Sequence, residues 1–364
     1  MPKDILKTLS IAVVGPLPPP AGGMANQAQQ LVALLQSGGA QVNFVRVNSP
    51  YKPAFIENVK GVRALFRLIP YFWQLILQIR RSDLVHVLAN SGWSWHLFAA
   101  PAVWVAWLLR KPVVLNYRGG EADAFFERSW LWVSPTVNRC RVVVVPSAFL
   151  QRVFARRMVP SSVVPNILDL QRFQFEDKKI FNDKAPHLVV TRNLEKIYGV
   201  DTVLSAFALL KQQYPEARLT VAGSGPEEGV LKEQVSKLGI EAEVTFTGRL
   251  DPEQIAQLYK DADLLLNAST VDNSPNSLIE ALASGVPVVS SNVGGIPDLV
   301  CDGESALLVP PQQPEMLAEA VLRVFEDRGL RDQLVQQGKS VADRFDKHKV
   351  LEALAESYSR VVRR

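Results

Sequence analysis

The chain has 364 residues, 48% of them hydrophobic, enough to build two cores of ordinary domain size. Its two cysteines, Cys140 and Cys301, lie far apart, and its four histidines (His86, His96, His187, His348) show no ligand spacing. This excludes a disulfide scaffold and a zinc site, and it reads the thiols as reduced core residues of a cytosolic protein.

The net charge of +4 is unevenly divided. Residues 1–180 carry 21 Lys and Arg against 9 Asp and Glu, a net of +12; residues 181–364 carry 19 against 27, a net of −8. The opening MPKDILKTLS lacks the apolar run of a signal peptide. Short Val/Ile-rich runs at 11–15, 41–47, 84–88, 113–117, 142–146 and 162–165 alternate with helical patterns. A second series follows at 187–190, 218–222, 243–247, 264–267, 286–290 and 306–309. Strands separated by helices imply parallel sheets with crossovers, and two series imply two such domains. The polar stretch 174–184 is the expected linker, which places the domains at 1–178 and 179–345 with a final helix in 346–364.

All seven tryptophans fall between Trp73 and Trp132. The segment 59–81 mixes Leu, Phe, Ile and Trp with Lys60, Arg63, Arg67, Arg80 and Arg81. That is the composition either of a helix lying on an anionic membrane or of an ordinary amphipathic helix packed on a sheet. Residues 92–109 are free of Asp, Glu, Lys and Arg, close to the ~20 residues a bilayer span requires. His96, Pro101 and the position between two predicted strands favour a buried or partly interfacial helix instead. A basic, Trp-rich half suits an anionic membrane surface, since Trp favours the lipid interface. Nucleic acid fits less well, because no aromatic–basic interleaving or recognisable module is present.

Four segments carry the chemistry. Strand 11–15 leads through a proline run to Gly22 and Gly23 at the start of a helix, where backbone N–H groups can approach a phosphate. This is neither a dinucleotide fingerprint nor a P-loop. After the strand at 187–190 come Arg192 and Lys196, cations where a diphosphate needs charge. The turn Gly223-Ser224-Gly225-Pro226 ends the next strand. Finally Asp272 and Glu280 flank a polar, turn-rich loop, Asn273-Ser274-Pro275-Asn276-Ser277, which leads into a small-residue helix. A helix N-terminus favours phosphate, and a carboxylate can accept two hydrogen bonds from a ribose diol.

This ordered set resembles the family 4 retaining glycosyltransferases, whose signature is Glu, seven residues, Glu; here it reads Asp272, seven residues, Glu280. Gly294-Gly295 with Asp298 and the segment Pro165-Asn166-Ile167-Leu168-Asp169 add to the resemblance. It covers most of residues 142–330 and, more thinly, 11–45. It implies the GT-B architecture, an α/β fold of two doubly wound, Rossmann-like domains facing an interdomain cleft, in which the last helix crosses back to the first domain. It further implies that Glu280 grips the ribose, that Asp272 and the backbone of Asn276, Ser277 and Leu278 hold the sugar, and that Arg192 and Lys196 neutralise the diphosphate. Gly22, Gly23 and Gly225 line the donor. No metal or other cofactor is expected, and a UDP-sugar is favoured over a GDP-sugar as donor.

On the acceptor side the resemblance thins: where relatives often carry a His, this chain has Asn116-Tyr117-Arg118-Gly119-Gly120-Glu121. Arg118 and Glu121 are the acceptor-binding candidates, or else members of an ion pair at a helix N-terminus. The expected function is a retaining glycosyltransferase at the inner face of the cell membrane, with a lipid-linked or saccharide acceptor, as in polysaccharide or glycolipid assembly. The alternatives are a non-catalytic GT-B partner subunit or another GT-B enzyme such as a sugar-nucleotide epimerase. A phosphorylase would need a pyridoxal lysine site, and a dehydrogenase its glycine fingerprint; neither is found.

Overall fold

The computed structural model describes residues 2–19, 22–50, 63–173 and 181–362. Part of the expected linker (174–180) and the start of the basic segment (59–62, with Lys60) lie outside the described residues. The chain forms two compact units, Met1–Ile167 with Lys347–Arg364, and Leu168–Asp346. The second unit thus starts at 168 rather than 179. The reason is hydrophobic burial: Leu168 and Phe173 belong to its core, beside Tyr259, Leu265 and Leu282.

The first unit holds β1 (Ser10–Gly15), β2 (Gln41–Arg46), β3 (Leu84–Ala89), β4 (Val113–Tyr117), β5 (Val142–Val145) and β6 (Ser162–Val163). They form one parallel sheet in the order β2-β1-β3-β4-β5-β6. Alternation along a strand sends neighbours to opposite faces. Ala12 and Val14 face a core with helices α2 (Arg63–Arg80), α3 (Ala100–Leu108), α4 (Ala122–Val137) and α5 (Ala148–Ala155). Ile11 and Val13 face a core with α1 (Gly23–Ser37) and the C-terminal helix, Lys347–Val362. Val350, Leu351, Leu354, Ala355, Tyr358 and Val361 make one buried stripe of that last helix, at helical spacing. At its centre Tyr358 Oη lies 2.8 Å from Nδ1 of the fully buried His86.

The second unit holds β7 (His187–Thr191), β8 (Arg218–Ala222), β9 (Val244–Gly248), β10 (Leu264–Asn267), β11 (Val288–Ser291) and β12 (Leu307–Val309). Its parallel sheet runs β12-β11-β10-β7-β8-β9, the doubly wound order that reverses between β7 and β10. Around it lie α6 (Val200–Leu210), α7 (Glu228–Leu238), α8 (Pro252–Asp261), α9 (Asn276–Ala283), α10 (Ile296–Leu299), α11 (Pro314–Glu326) and α12 (Arg328–Ala342). α8 begins with a full capping box between Asp251 and Gln254.

One expectation is corrected here. Cys140 is packed among apolar side chains, and burial pushes its thiol up to about 12, but Cys301 is exposed in a turn and is not a core residue. The apolar stretch 92–109 is helical as expected, continuous from Trp93 through Leu108, with a π-helical turn at Trp95–Ala99 running into α3. No helix among the described residues is long and apolar enough to cross a membrane. The tryptophans separate accordingly. Trp95 is fully buried, Trp104 is half-buried beneath the Arg139 guanidinium, and Trp73, Trp93 and Trp132 are 67%, 79% and 76% exposed.

Leu354 is 1% exposed in the core shared with α1 and the sheet. Leu354→Ala is expected to cost about 2–5 kcal/mol of the first unit's stability. In urea unfolding followed by hydrogen exchange, amides of β1, β3 and β4 should lose protection while those of β7 and β10 keep theirs. Equal loss in both units would contradict this packing role.

Candidate functional site

In an open parallel sheet the strand order reverses at one place, where the outgoing loops part and leave a crevice at the carboxyl ends. In the second unit that place lies between β7 and β10. The loop after β7 carries Arg192, and the loop after β10 carries Asp272. Arg192 Nη2 donates to Asp272 Oδ2 at 2.5 Å, with the side chains 12% and 11% exposed. The guanidinium also reaches Ser277 Oγ at 3.5 Å, at the start of α9, and lies over the Tyr198 ring, 4.1 Å from its centre. Arg192 Nε is buried and meets no acceptor among the described residues.

A polar network supports the pair from below. Asp272 Oδ1 accepts the Asn273 N–H at 2.9 Å. Ser269 Oγ, 2.9 Å from Asn267 Oδ1 and 3.3 Å from Asp272 Oδ2, shares one proton between them. Asn267 donates in turn to Ser290, and Ser291 donates to the Ser269 carbonyl. On the other side, Tyr259 donates to the Ser277 carbonyl, so Thr191 must be the donor in its 2.5 Å contact with the same hydroxyl. These groups fix both loops relative to the N-terminus of α9. Asn267, Ser269, Thr191 and Tyr259 went unnoticed in the sequence, because a buried Ser or Asn at a strand end reads there as an ordinary turn residue.

Glycines bring the loops this close. A Cβ on Gly223 would strike the carbonyl oxygen of Arg192, and one on Gly225 that of Leu194. Gly294 and Gly295 stand in the same relation to Asp272 and Asn273, and Gly199 to Ala268. Gly199 and Gly294 also sit at φ +60° and +55°, where a side chain adds strain. Gly225 therefore packs the turn after β8 under the Arg192 loop, and the Gly-Gly turn after β11 seats the Asp272 loop.

Glu280 lies on α9, one turn beyond Asn276 and Ser277. It keeps a partly exposed edge, yet the surrounding protein desolvates its carboxyl and raises it to about 7, against the opposing pull of Arg172 and Arg192. Arg172, absent from the sequence-based set, is held by Glu253 at 3.3 Å and Asp169 at 3.9 Å. Ser277 and Leu278 are buried, so Leu278 offers the site only its backbone. Pro275 caps α9 without a side-chain hydrogen bond to its first turn.

The remaining candidates are less tightly gathered. Lys196 is exposed in the single turn Lys196–Tyr198, and its ammonium makes no hydrogen bond or ion pair among the described residues. Gly22 and Gly23 open α1, and a Cβ on either would meet nothing within 4 Å. In the first unit, Glu121 is exposed at the start of α4 and caps it with no side-chain hydrogen bond. Arg118 does not pair with it. Its Nη2 donates to Asn166 Oδ1 and, at 3.2 Å, to Gln27 Oε1, and its Nη1 lies 3.4 Å from Asn116 Oδ1. The expected alternative of a helix N-terminal ion pair is thus not what the fold builds.

Residues 171–341 match the model of group 1 glycosyl transferases, and residues 21–172 that of Glycosyltransferase Family 4. The chain is 24% identical over 357 residues to an uncharacterised glycosyltransferase of Methanocaldococcus jannaschii, covering 87% of this chain and 89% of the relative. It is 27% identical to the alpha-monoglucosyldiacylglycerol synthase of Streptococcus pneumoniae, over 55% of this chain and 51% of that one. The crystal structure of Anabaena HepE with UDP and glucose superposes with a TM-score of 0.72 at 19% identity, covering 96% of this chain and 99% of the other.

The raised carboxyl of Glu280 makes a stability prediction. Between its ordinary value near 4.5 and about 7, the folded ligand-free protein holds a proton that the unfolded chain releases, so stability falls as pH rises through that window. Glu280→Gln removes the effect. Its melting temperature should exceed the wild type's at pH 8, with the gain shrinking towards pH 4.5. A gain that is constant across this range would show that Glu280 is already ionised.

Proposed function

Because the chain belongs to the GT-B glycosyltransferases of family 4, we propose that it is a retaining, metal-independent enzyme that moves a hexose from a UDP-sugar to a hydroxyl of a lipid-linked acceptor. The observation that carries this reading is the convergence, at the switch point of the second sheet, of a near-buried guanidinium, the N-terminus of α9 and Glu280. A buried Arg192 Nε–H without an acceptor is a donor waiting for an oxyanion, since an unsatisfied buried donor is costly. The first turn of α9 offers N–H groups and a partial positive charge to the same ligand. Glu280, one turn on, accepts from the ribose diol, and its partly exposed edge gives that diol access.

In the reaction, the bond from the sugar C1 to the diphosphate oxygen breaks with its electron pair leaving on the phosphate. The acceptor oxygen joins C1 on the same face and gives its proton to that departing phosphate oxygen, so no side-chain base is required. Arg192 stabilises the growing phosphate charge. Exposed Lys196 swings in as the second cation, which replaces a divalent metal. Asp272, held by Arg192, Asn273 and Ser269, points a fixed carboxylate at the sugar hydroxyls. UDP is the first nucleotide to test because the HepE structure contains it.

The acceptor side rests on the first unit's outer surface. Phe66, Ile69 and Trp73 on α2, Trp107 and Leu108 on α3, and Leu131 and Trp132 on α4 are all exposed large apolar side chains. The three helices lie side by side. Exposed Arg80, Arg110 and Arg128 are nearby in the chain. An apolar, aromatic surface of this kind on a monomer marks an interaction site, and basic flanks suit an anionic leaflet. The pneumococcal relative's name likewise specifies a lipid acceptor.

Calorimetry with UDP, and donor hydrolysis in the presence of EDTA, test the central reading. Glu280→Gln is expected to weaken UDP binding about tenfold or more, because two hydrogen bonds to a charged acceptor are each worth ~1.5–3 kcal/mol. Removing Arg192 outright would also strand the Asp272 carboxylate, so Arg192→Lys is the informative change. It should lower kcat by about tenfold or more with KM within a few-fold, because the forked contact matters most as charge develops. Binding of UDP without any turnover would instead support the non-catalytic subunit.

Membrane attachment is tested by co-sedimentation. The protein should bind anionic vesicles at low salt and release at 1 M, where the Debye length is ~3 Å. Paired Trp73→Ser and Trp132→Ser changes, both within this face, should weaken binding at least several-fold. Binding unaffected by either change would refute this face as the docking surface.

A further inference from the structure

Arg118 is a cation that the fold has positioned but not neutralised. It follows β4, and its backbone N–H bonds the Ala89 carbonyl at 2.9 Å, which extends the β3–β4 ladder and makes its base rigid. Three neutral amides present oxygen to the guanidinium: Gln27 from α1, Asn116 from β4 and Asn166 beyond β6. Each is itself held. Gln27 Oε1 also accepts the Ile167 N–H at 2.9 Å, while its Nε2 donates to the Ile167 carbonyl.

The orientation of Asn116 follows from Arg118. With its oxygen turned to the guanidinium, its Nδ2 donates to His86 Nε2 at 3.1 Å. His86 then carries its proton on Nδ1 and donates to Tyr358, 2.8 Å away. His86 is thereby neutral, in keeping with burial and the Arg118 charge, which together lower it to about 3. The C-terminal helix is thus linked through Tyr358, His86 and Asn116 to the guanidinium.

No carboxylate pairs with Arg118 among the described residues. Behind it lies only a water-sized void, lined by Leu31, Leu88, Val164, Val350 and Leu354 as well as by Gln27 and Asn116; the aliphatic side chains on that side lower the local dielectric and strengthen any charge interaction. Burial lowers the guanidinium only to about 10, so it remains cationic at neutral pH. A neutral side chain could tie α1 to the β6 exit without the cost of desolvating a charge. A guanidinium fixed by dipoles at the carboxyl edge of a parallel sheet, with Nε making no hydrogen bond among the described residues, is instead preorganised to take an oxyanion from outside.

We propose that Arg118 is the receptor for a phosphate group carried by the acceptor, bound in the first unit independently of the donor diphosphate. This rests on reading the first unit as the acceptor side. The phosphate belongs either to a soluble phosphorylated sugar or to the linker of a lipid-borne one.

Calorimetric titration of the full-length protein tests this, with Arg192→Ala as background so that the donor site lacks its near-buried cation and any residual donor-site binding is common to every variant compared. Inorganic phosphate should still bind in that background. Adding Arg118→Gln should weaken it about tenfold or more, the size of a charged hydrogen-bond contribution. Arg118→Lys, which keeps the charge but not the fork, should weaken it less and serves if the Gln variant does not fold. Decyl phosphate below its micelle concentration separates the sources: tighter binding than phosphate indicates a lipid-borne group, equal binding a soluble one, and in both cases Arg118→Gln must abolish the gain over background. No phosphate binding in the Arg192→Ala background, or equal affinity with and without Arg118, would overturn the proposal. UDP titration of otherwise unchanged protein is a separate arm: its failure would sink the donor reading while leaving the Arg118 result intact.

Discussion

Four loops of the second unit are pressed against one another at backbone distance, and the candidate site exists because of that contact. The carbonyl oxygens of Arg192, Leu194, Ala268, Asp272 and Asn273 each occupy the space where a side chain would project from Gly223, Gly225, Gly199, Gly294 and Gly295. With any larger residue the loops would separate by roughly the width of a methyl group. Arg192 and Asp272 would then lose their 2.5 Å contact, and Ser277 would move out of reach. The glycines thus act through the loops they let approach.

What they assemble is not optimised for the stability of the empty protein. Glu280 is desolvated until its carboxyl rises to about 7, and Arg192 keeps a buried Nε–H without an acceptor among the described residues. Both are costs to folding and both are relieved by a ligand that presents hydroxyls to the carboxylate and oxyanions to the guanidinium. The Arg192–Asp272 pair limits the damage, since each partner would otherwise be a nearly buried lone charge.

The first unit shows the same economy in another form. Its sheet has two apolar faces, and the C-terminal helix seals one of them with Leu351, Leu354 and Tyr358. The polar chain from Tyr358 through His86 and Asn116 to Arg118 runs along that same face from β3 to β4 and reaches the sheet's carboxyl edge. On the other face, α2, α3 and α4 bury Leu75, Val103 and Phe126 inward and leave Ile69, Leu108 and Trp132 outward. A helix whose inner face already covers the sheet gains nothing within the monomer from such an outer face, which is why it points to an external surface.

Local pattern alone indicated the twelve strands, their grouping into two parallel sheets and the placing of Arg192 and Asp272 near strand ends with Glu280 on the helix that follows. Period-two burial and strand–helix alternation are properties of neighbouring residues, so they can be read along the chain. Tertiary structure decided the rest. That Arg192 binds Asp272, eighty positions away, depends on the strand order reversing between β7 and β10, which no local pattern states. That Trp95 is core while Trp93 is exposed depends on which side of this uniformly apolar helix the fold lays against the sheet. That Leu168 and Phe173 join the second unit depends on which core has room for them. And Arg118 next to Gln27 and Asn166 depends on α1 and the exit of β6 meeting over the end of β4. Local structure follows from spacing; the partner of a buried charge follows from which distant segment the fold brings within 3 Å of it.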